Sequence, residues 1–250
     1  MKKLAVLNHK GGSGKTTTAI NLGAALALKG KKVLLIDLDP QGGLTEALMV
    51  DLGDHLPTVS EILTGEAEPK AAYRTVRGLT VIPAGPDLAE TEKRLIQERP
   101  RDAVLALKEA LSGVRGFDYV LVDCPPSLGT LALGGVVYAG AVIIPLQAQY
   151  MALAGLEKVL RMIAAIREAG IPLEIDGVLP CLYDVRTNLS RQVEEKVREA
   201  FGKKVFKTII RQSVSLAEAP ARGMDIFAYR PNSRGAEDYA ALAEEVIRHG

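Results

Sequence analysis

LNHKGGSGKTTTAINLG, residues Leu7 to Gly23, decides how this chain is read. A strand-like run, KLAVLN (2–8), leads into it and a helical pattern, 15–29, leads out. Strand, glycine-rich turn and helix, in that order, are the context of a phosphate-binding loop. Gly11, Gly12 and Gly14 let backbone N–H groups turn inward around phosphate oxygens, and the helix N-terminus adds its dipole. Lys15 is placed to reach the β- and γ-phosphates, Thr16 to ligate Mg²⁺ and Thr17 to contact the α-phosphate, with Ser13 completing the cradle. His9 stands where the GxxxxGK[ST] pattern has its first glycine. The tighter string KGGxGKT compensates, because its chance occurrence in such a chain is on the order of 10⁻⁵. One lysine suffices for such a loop. Lys10 is a second.

Outward from the loop, apolar runs recur: KVLLID (32–37), LTVIP (79–83), YVLVD (119–123), AVIIPL (141–146) and IDGVLP (175–180), with VFKTII (205–210) as a further strand. Helical patterns fall between them at 101–111, 128–138, 153–168, 189–201 and 236–249. Strands apolar on both faces, alternating with helices, predict an α/β fold. The expectation is one domain over 1–250, a twisted and mainly parallel sheet with helices on both faces.

Two strand ends carry acids. LLIDLDPQGG closes the second strand with Asp37 and Asp39, expected on alternating faces, and YVLVDCPPS closes another with Asp123. Open α/β sheets bind ligands at these C-terminal ends. Asp123 stands where a Walker-B acid holds Mg²⁺ through water. With the loop, these acids make a nucleotide–Mg²⁺ site in which Thr16, Asp39 and Asp123 are the metal set.

Composition bounds the partners. Net charge is +1 over 250 residues, so any polyanion must be held by a local patch or by oligomerisation. Trp is absent and aromatics are 4%, which argues against a stacking surface for single strands. Cys124 and Cys181 stand far apart, fitting neither a disulfide framework nor a zinc site. His9, His55 and His249 are scattered surface or loop residues. No apolar run approaches a membrane span, so the expected compartment is the cytoplasm. Charge is uneven nonetheless: 37–69 holds eight acids and no Lys or Arg, while 186–234 holds eleven bases against five acids. The basic segment is the place to look for a polyanion site.

KGGSGKTT, DLDPQGG, DCPPSL, LYDVRTNLSRQV and SLAEAPARG, in this order along essentially the whole chain, resemble the ParA/Soj family of partition ATPases with a deviant Walker A motif. The resemblance implies ATP and Mg²⁺ as ligands, slow ATP hydrolysis and an ATP-dependent homodimer. It implies that Lys10 crosses the dimer to the partner's phosphates, joining Lys15 as a catalytic lysine, and that Asp39 positions the attacking water. It further implies non-specific double-stranded DNA as a ligand of the ATP state, nucleoid association in that state, and a ParB-like or cargo-adaptor protein that stimulates hydrolysis. The acidic 37–69 stretch is a candidate receiver for that protein.

Two departures from the family pattern bear on sites. Gln149 and Ala154 occupy positions where the family often has glutamates. Arg211, Gln212, Ser213 and Ser215 stand where it often reads Pro, Arg, Asn and Arg. That segment is associated with adenine contact and DNA binding, which makes Arg211 and Ser213 candidate nucleotide contacts. Lys203, Lys204, Lys207, Arg211 and Arg222 are the candidate DNA contacts.

Two other functions fit the same motifs. A membrane-cycling relative needs a basic amphipathic C-terminal helix, but AEDYAALAEEVIRHG is acid-rich and lacks large apolar anchors. An ATP-dependent metabolic enzyme on the same scaffold would look alike in its nucleotide half.

Overall fold

The computed structural model describes residues 1–53, 56–148 and 152–249. In chain order the first elements are β1 (Lys2–Val6), α1 (Lys15–Leu28), β2 (Val33–Asp37), α2 (Gly43–Ala47), α3 (Val59–Thr64), β3 (Arg74–Val76) and β4 (Leu79–Ile82). There follow α4 (Leu88–Glu98), α5 (Ala106–Ala110), β5 (Tyr119–Asp123), α6 (Thr130–Ala139), β6 (Ala141–Gln147) and α7 (Ala152–Glu168). The last are β7 (Glu174–Cys181), α8 (Asn188–Phe201), α9 (Val214–Glu218), α10 (Ile226–Tyr229) and α11 (Arg234–Arg248).

The strands form one sheet in the order β3-β4-β2-β5-β1-β6-β7. Every pairing is parallel except β3 with β4. Strand alternation divides the core in two. Leu34, Ile36, Val120 and Val122 pack with α3 to α8, whereas Val33, Leu35, Tyr119 and Leu121 pack with α1, α2 and α11. Both faces are therefore covered, which is why the strands read as unbroken apolar runs. The register sets Asp37 of β2 directly beside Asp123 of β5. Among the described residues no helix is long and apolar enough to cross a membrane.

The segment 205–210 is not a strand. It lies along β7 with isolated bridges, Val178 to Val205 and Tyr183 to Arg211. The Phe206 ring covers Gly177, where no side chain would fit. Phe206 N and Ile210 N donate to Val178 O and Pro180 O of β7, but the ladder is broken between them, where α11 takes Thr208 N as well as the outward-facing donors. Glu245 accepts from Lys207 N at 2.7 Å and Thr208 N at 3.0 Å, and Asp238 accepts from Arg211 N at 2.9 Å.

The helix expected over 101–111 is a 3-10 turn, Ala103–Leu105, running into the shorter α5. Strand β3 was hidden in the sequence. It pairs with β4 through a two-residue turn in which Arg77 (φ 48) and Gly78 (φ 80) are both left-handed. Such a turn announces itself as Asn-Gly or Asp-Gly, and Arg-Gly is a weak signal. Asp37 and Asp39 do not alternate across a strand: Asp37 ends β2 and is wholly buried, while Asp39 lies beyond it and is half-buried.

Candidate phosphate and magnesium site

β1 delivers the chain into the loop and α1 takes it out, as the motif predicts. Gly12 (φ 68) and Gly14 (φ 91) hold left-handed backbone that a side chain would strain, and Gly14 serves as the N-cap of α1. Among the described residues none of the backbone N–H groups of Gly11, Gly12, Ser13, Gly14, Lys15, Thr16 and Thr17 donates a hydrogen bond. Seven consecutive unpaired donors at a helix start are an anion cradle. The Ser13 hydroxyl is also buried without a partner among the described residues.

Lys15 is buried beneath the loop, and its ammonium donates to the Lys10 carbonyl at 3.4 Å. Burial pushes its pKa below the ordinary lysine value, against the pull of Asp123 and Asp39. A bound polyphosphate would restore the charge that burial disfavours.

Thr16 Oγ1 donates to Asp123 Oδ2 at 2.7 Å, while Asp123 Oδ1 is buried with no partner among the described residues. Burial and then the Asp37 charge push the Asp123 pKa well above the carboxylate range, opposed by Thr16 and Lys15. A divalent cation would relieve both the orphaned oxygen and the like-charge repulsion. The donor set fits Mg²⁺, which keeps several waters and takes one or two carboxylates plus substrate phosphates. No group of three or more His, Cys, Asp or Glu that could hold a metal occurs among the described residues.

Asp37 has a different task. It accepts from Thr45 N at 2.9 Å, Thr45 Oγ1 at 2.7 Å and Asp39 N at 3.1 Å. Thr45 Oγ1 in turn accepts from Ala84 N at 3.0 Å. Burial raises Asp37 to about 6, against these hydrogen bonds. Asp37 thus pins α2 and the loop bearing Asp39, whose own Oδ1 accepts from Gln41 N at 3.0 Å. Asp39 is near enough for its charge to act on both Lys15 and Asp123. Thr16 and Asp123 are in direct contact, and Asp39 lies within electrostatic range of Asp123.

Behind the loop, a cleft of about 120 Å³ is lined by Gly14, Thr17, Cys181, Leu182, Arg211 and Ser213, among others. The two candidate nucleotide contacts from the far end of the chain therefore share a cleft with Thr17. Cys124 and Cys181 are both buried, and burial pushes the Cys181 thiol up to about 12.

The basic candidates separate. Lys203, Lys204 and Lys207 are exposed on the edge beside β7. Arg211 is matched by acids, donating from Nε to Asp238 Oδ1 at 2.9 Å and from its terminal nitrogen to Glu237 at 3.0 Å. Arg222 is exposed beside Gly223, whose carbonyl accepts from Arg77 of the β3–β4 turn at 3.3 Å. β7 and β4 are separated by four strands, roughly 24 Å at the usual strand spacing. Arg222 and the three lysines do not form one patch.

The acidic stretch is likewise not one surface. Asp37 is buried, Glu61 closes a capping box with Thr58, and Glu66 pairs with Arg94 at 3.4 Å. Asp54 and His55 lie outside the described residues, as does Gln149; of Ala154 only the backbone, in α7, is described.

The sequence reading missed Gln147. From the end of β6 its side chain accepts from the Lys10 ammonium and donates to the Gly12 carbonyl. Asn8 assists, accepting from Lys10 N at 3.0 Å and donating to Pro145 O at 2.6 Å. A Gln at a strand end carries no motif; only the register of β6 against β1 brings it to the loop.

Residues 1–175 match the family described as an AAA domain. The chain is 44% identical over 253 residues to the sporulation initiation inhibitor protein Soj of Bacillus subtilis, covering all of this chain and 99% of that protein. It is 44% identical over 250 residues to the chromosome-partitioning ATPase Soj of Treponema pallidum, covering 98% and 97%. Among solved structures, the cobyrinic acid a,c-diamide synthase of Mycobacterium smegmatis with bound ATP analog and magnesium superposes with a TM-score of 0.85 at 40% identity, covering 100% and 95%.

Proposed function

The chain belongs to the Soj/ParA family of chromosome-partitioning ATPases and hydrolyses ATP with Mg²⁺, and from that premise we propose that it is a nucleotide-switched partition protein. In this reading ATP closes a homodimer, the dimer binds duplex DNA without sequence preference on the nucleoid, and a ParB-like or cargo-adaptor protein stimulates hydrolysis and release.

The site residues divide the work. The N–H groups of Gly11 to Thr17 cradle the phosphates, Lys15 offsets their charge, and Thr17, Arg211 and Ser213 face the remainder of the nucleotide. Thr16 and Asp123 hold Mg²⁺, which when bound neutralises charge on the phosphates. Asp39, on a loop fixed by Asp37, orients the attacking water.

The observation that carries the switch is the pair of lysines on one loop. Lys15 is buried beneath it, whereas Lys10 is half-buried on the side facing Gln147. One cation serves the subunit's own nucleotide, and a second suits a partner's, where two polyphosphates meet at an interface. Light scattering after size exclusion tests this. The Asp39→Ala protein should run as a dimer with ATP and as a monomer with ADP, and Lys10→Ala should stay monomeric with either.

The 40% likeness to the diamide synthase keeps a metabolic enzyme as the second reading. It predicts saturable ATP binding by a protein that ignores DNA in every nucleotide state.

A further inference from the structure

Gln147 sits where the partition reading needs a control point. Its backbone is fixed, because β6 pairs with β7 at Gln147 and Cys181, and Ala148 N donates to Cys181 O at 3.1 Å. Its side chain, nearly buried, crosses to the loop and makes two bonds of opposite polarity. An ammonium can only donate and a carbonyl can only accept, so a carboxamide matches both where neither a carboxylate nor an apolar side chain does. Across a trans peptide, C=O and N–H point opposite ways. Holding the Gly12 carbonyl therefore turns the Ser13 N–H to the other side of the loop, away from Gln147.

We infer that Gln147 is a positioning residue that parks Lys10 on its own subunit, so that ATP-driven dimerisation must break the Lys10–Gln147 bond. The inference rests on the reading of Lys10 as the dimer-crossing lysine. A charge-assisted hydrogen bond given up on dimerisation raises the protein concentration needed for assembly by about tenfold. The latch thus sets a threshold, leaving the free subunit with a loop already shaped for phosphate.

Two substitutions push the latch in opposite directions. Gln147→Leu removes one acceptor that holds Lys10 on its own subunit. Gln147→Glu keeps the acceptor and adds a charge, so it holds Lys10 harder while repelling the Gly12 carbonyl. Sedimentation would measure the dimer constant of both in the Asp39→Ala background at saturating ATP. Saturation is verified with a fluorescent ATP analogue, which also reports what the loop loses in each variant. Gln147→Leu should dimerise at about tenfold lower protein concentration than the parent, and Gln147→Glu at tenfold higher or more. Shifts in the same direction, or none, overturn the latch and leave Gln147 as a support for the loop. A Lys10→Ala protein that dimerises like the parent instead overturns the reading of Lys10 itself, so the two failures are distinguishable.

Discussion

Thr16 and Asp123, 107 residues apart, meet at 2.7 Å where α1 leaves the loop and β5 ends. The second Asp123 oxygen is buried and orphaned among the described residues, an arrangement that disfavours the nucleotide-free protein and suits a cation. Asp123→Asn should lower Mg²⁺-dependent phosphate release by about 100-fold or more. It should also raise the melting temperature of the nucleotide-free protein at pH 7.5, because a carboxyl whose pKa burial raises no longer costs stability above its unfolded value. Phosphate release and thermal melts check the two halves.

Gly14 carries the loop's most positive φ, 91°, and a Cβ there would meet Cys181 only at ordinary contact distance, 3.9 Å. Strain rather than a clash is therefore the penalty. Gly14→Ala should destabilise the fold by about 1–3 kcal/mol and weaken ATP binding, as read by urea unfolding and nucleotide titration.

Glu245 clamps the edge beside β7. Burial pushes its pKa up, but the N–H bonds from Lys207 and Thr208 outweigh this and hold it below the usual value. A lowered folded pKa gives stability that is present above the unfolded value of 4.5 and lost as pH falls through the folded one. Glu245→Gln should flatten that acid limb of the urea-unfolding profile, and Glu245→Ala should cost about 2 kcal/mol at pH 7 by leaving two N–H groups unpaired.

Lys203, Lys204 and Lys207 are the exposed cations on that edge. If they meet phosphates, each lost contact lowers the slope of log affinity against log salt by about 0.9. The triple alanine variant should show that loss twice over in a dimer, in filter binding across a salt series. Arg222→Ala, toward the opposite edge of the sheet, should leave the slope unchanged.

The phosphate loop, the parallel strands and the Asp123 position were legible because each is local: a run of glycines, an unbroken apolar stretch, an acid at its end. What escaped depends on distant pairing. Segment 205–210 has strand composition, yet Glu245 of α11 takes Lys207 N and Thr208 N and interrupts its pairing with β7. Gln147 has no signature until β6 lies beside β1. Arg211 reads as a free cation until Glu237 and Asp238 fold onto it, and Arg222 joins the lysines in sequence but not in space.

The central claim is that ATP switches DNA binding through Lys10, and one titration tests it most directly. Labelled non-specific duplex DNA is titrated with the protein plus Mg²⁺ and ATP, ADP or neither, using wild type, Lys10→Ala and Asp39→Ala. The account predicts binding by wild type with ATP only, none by Lys10→Ala, and persistent binding by Asp39→Ala. Equal binding in all nucleotide states, or full ATP-dependent binding by Lys10→Ala, would contradict it.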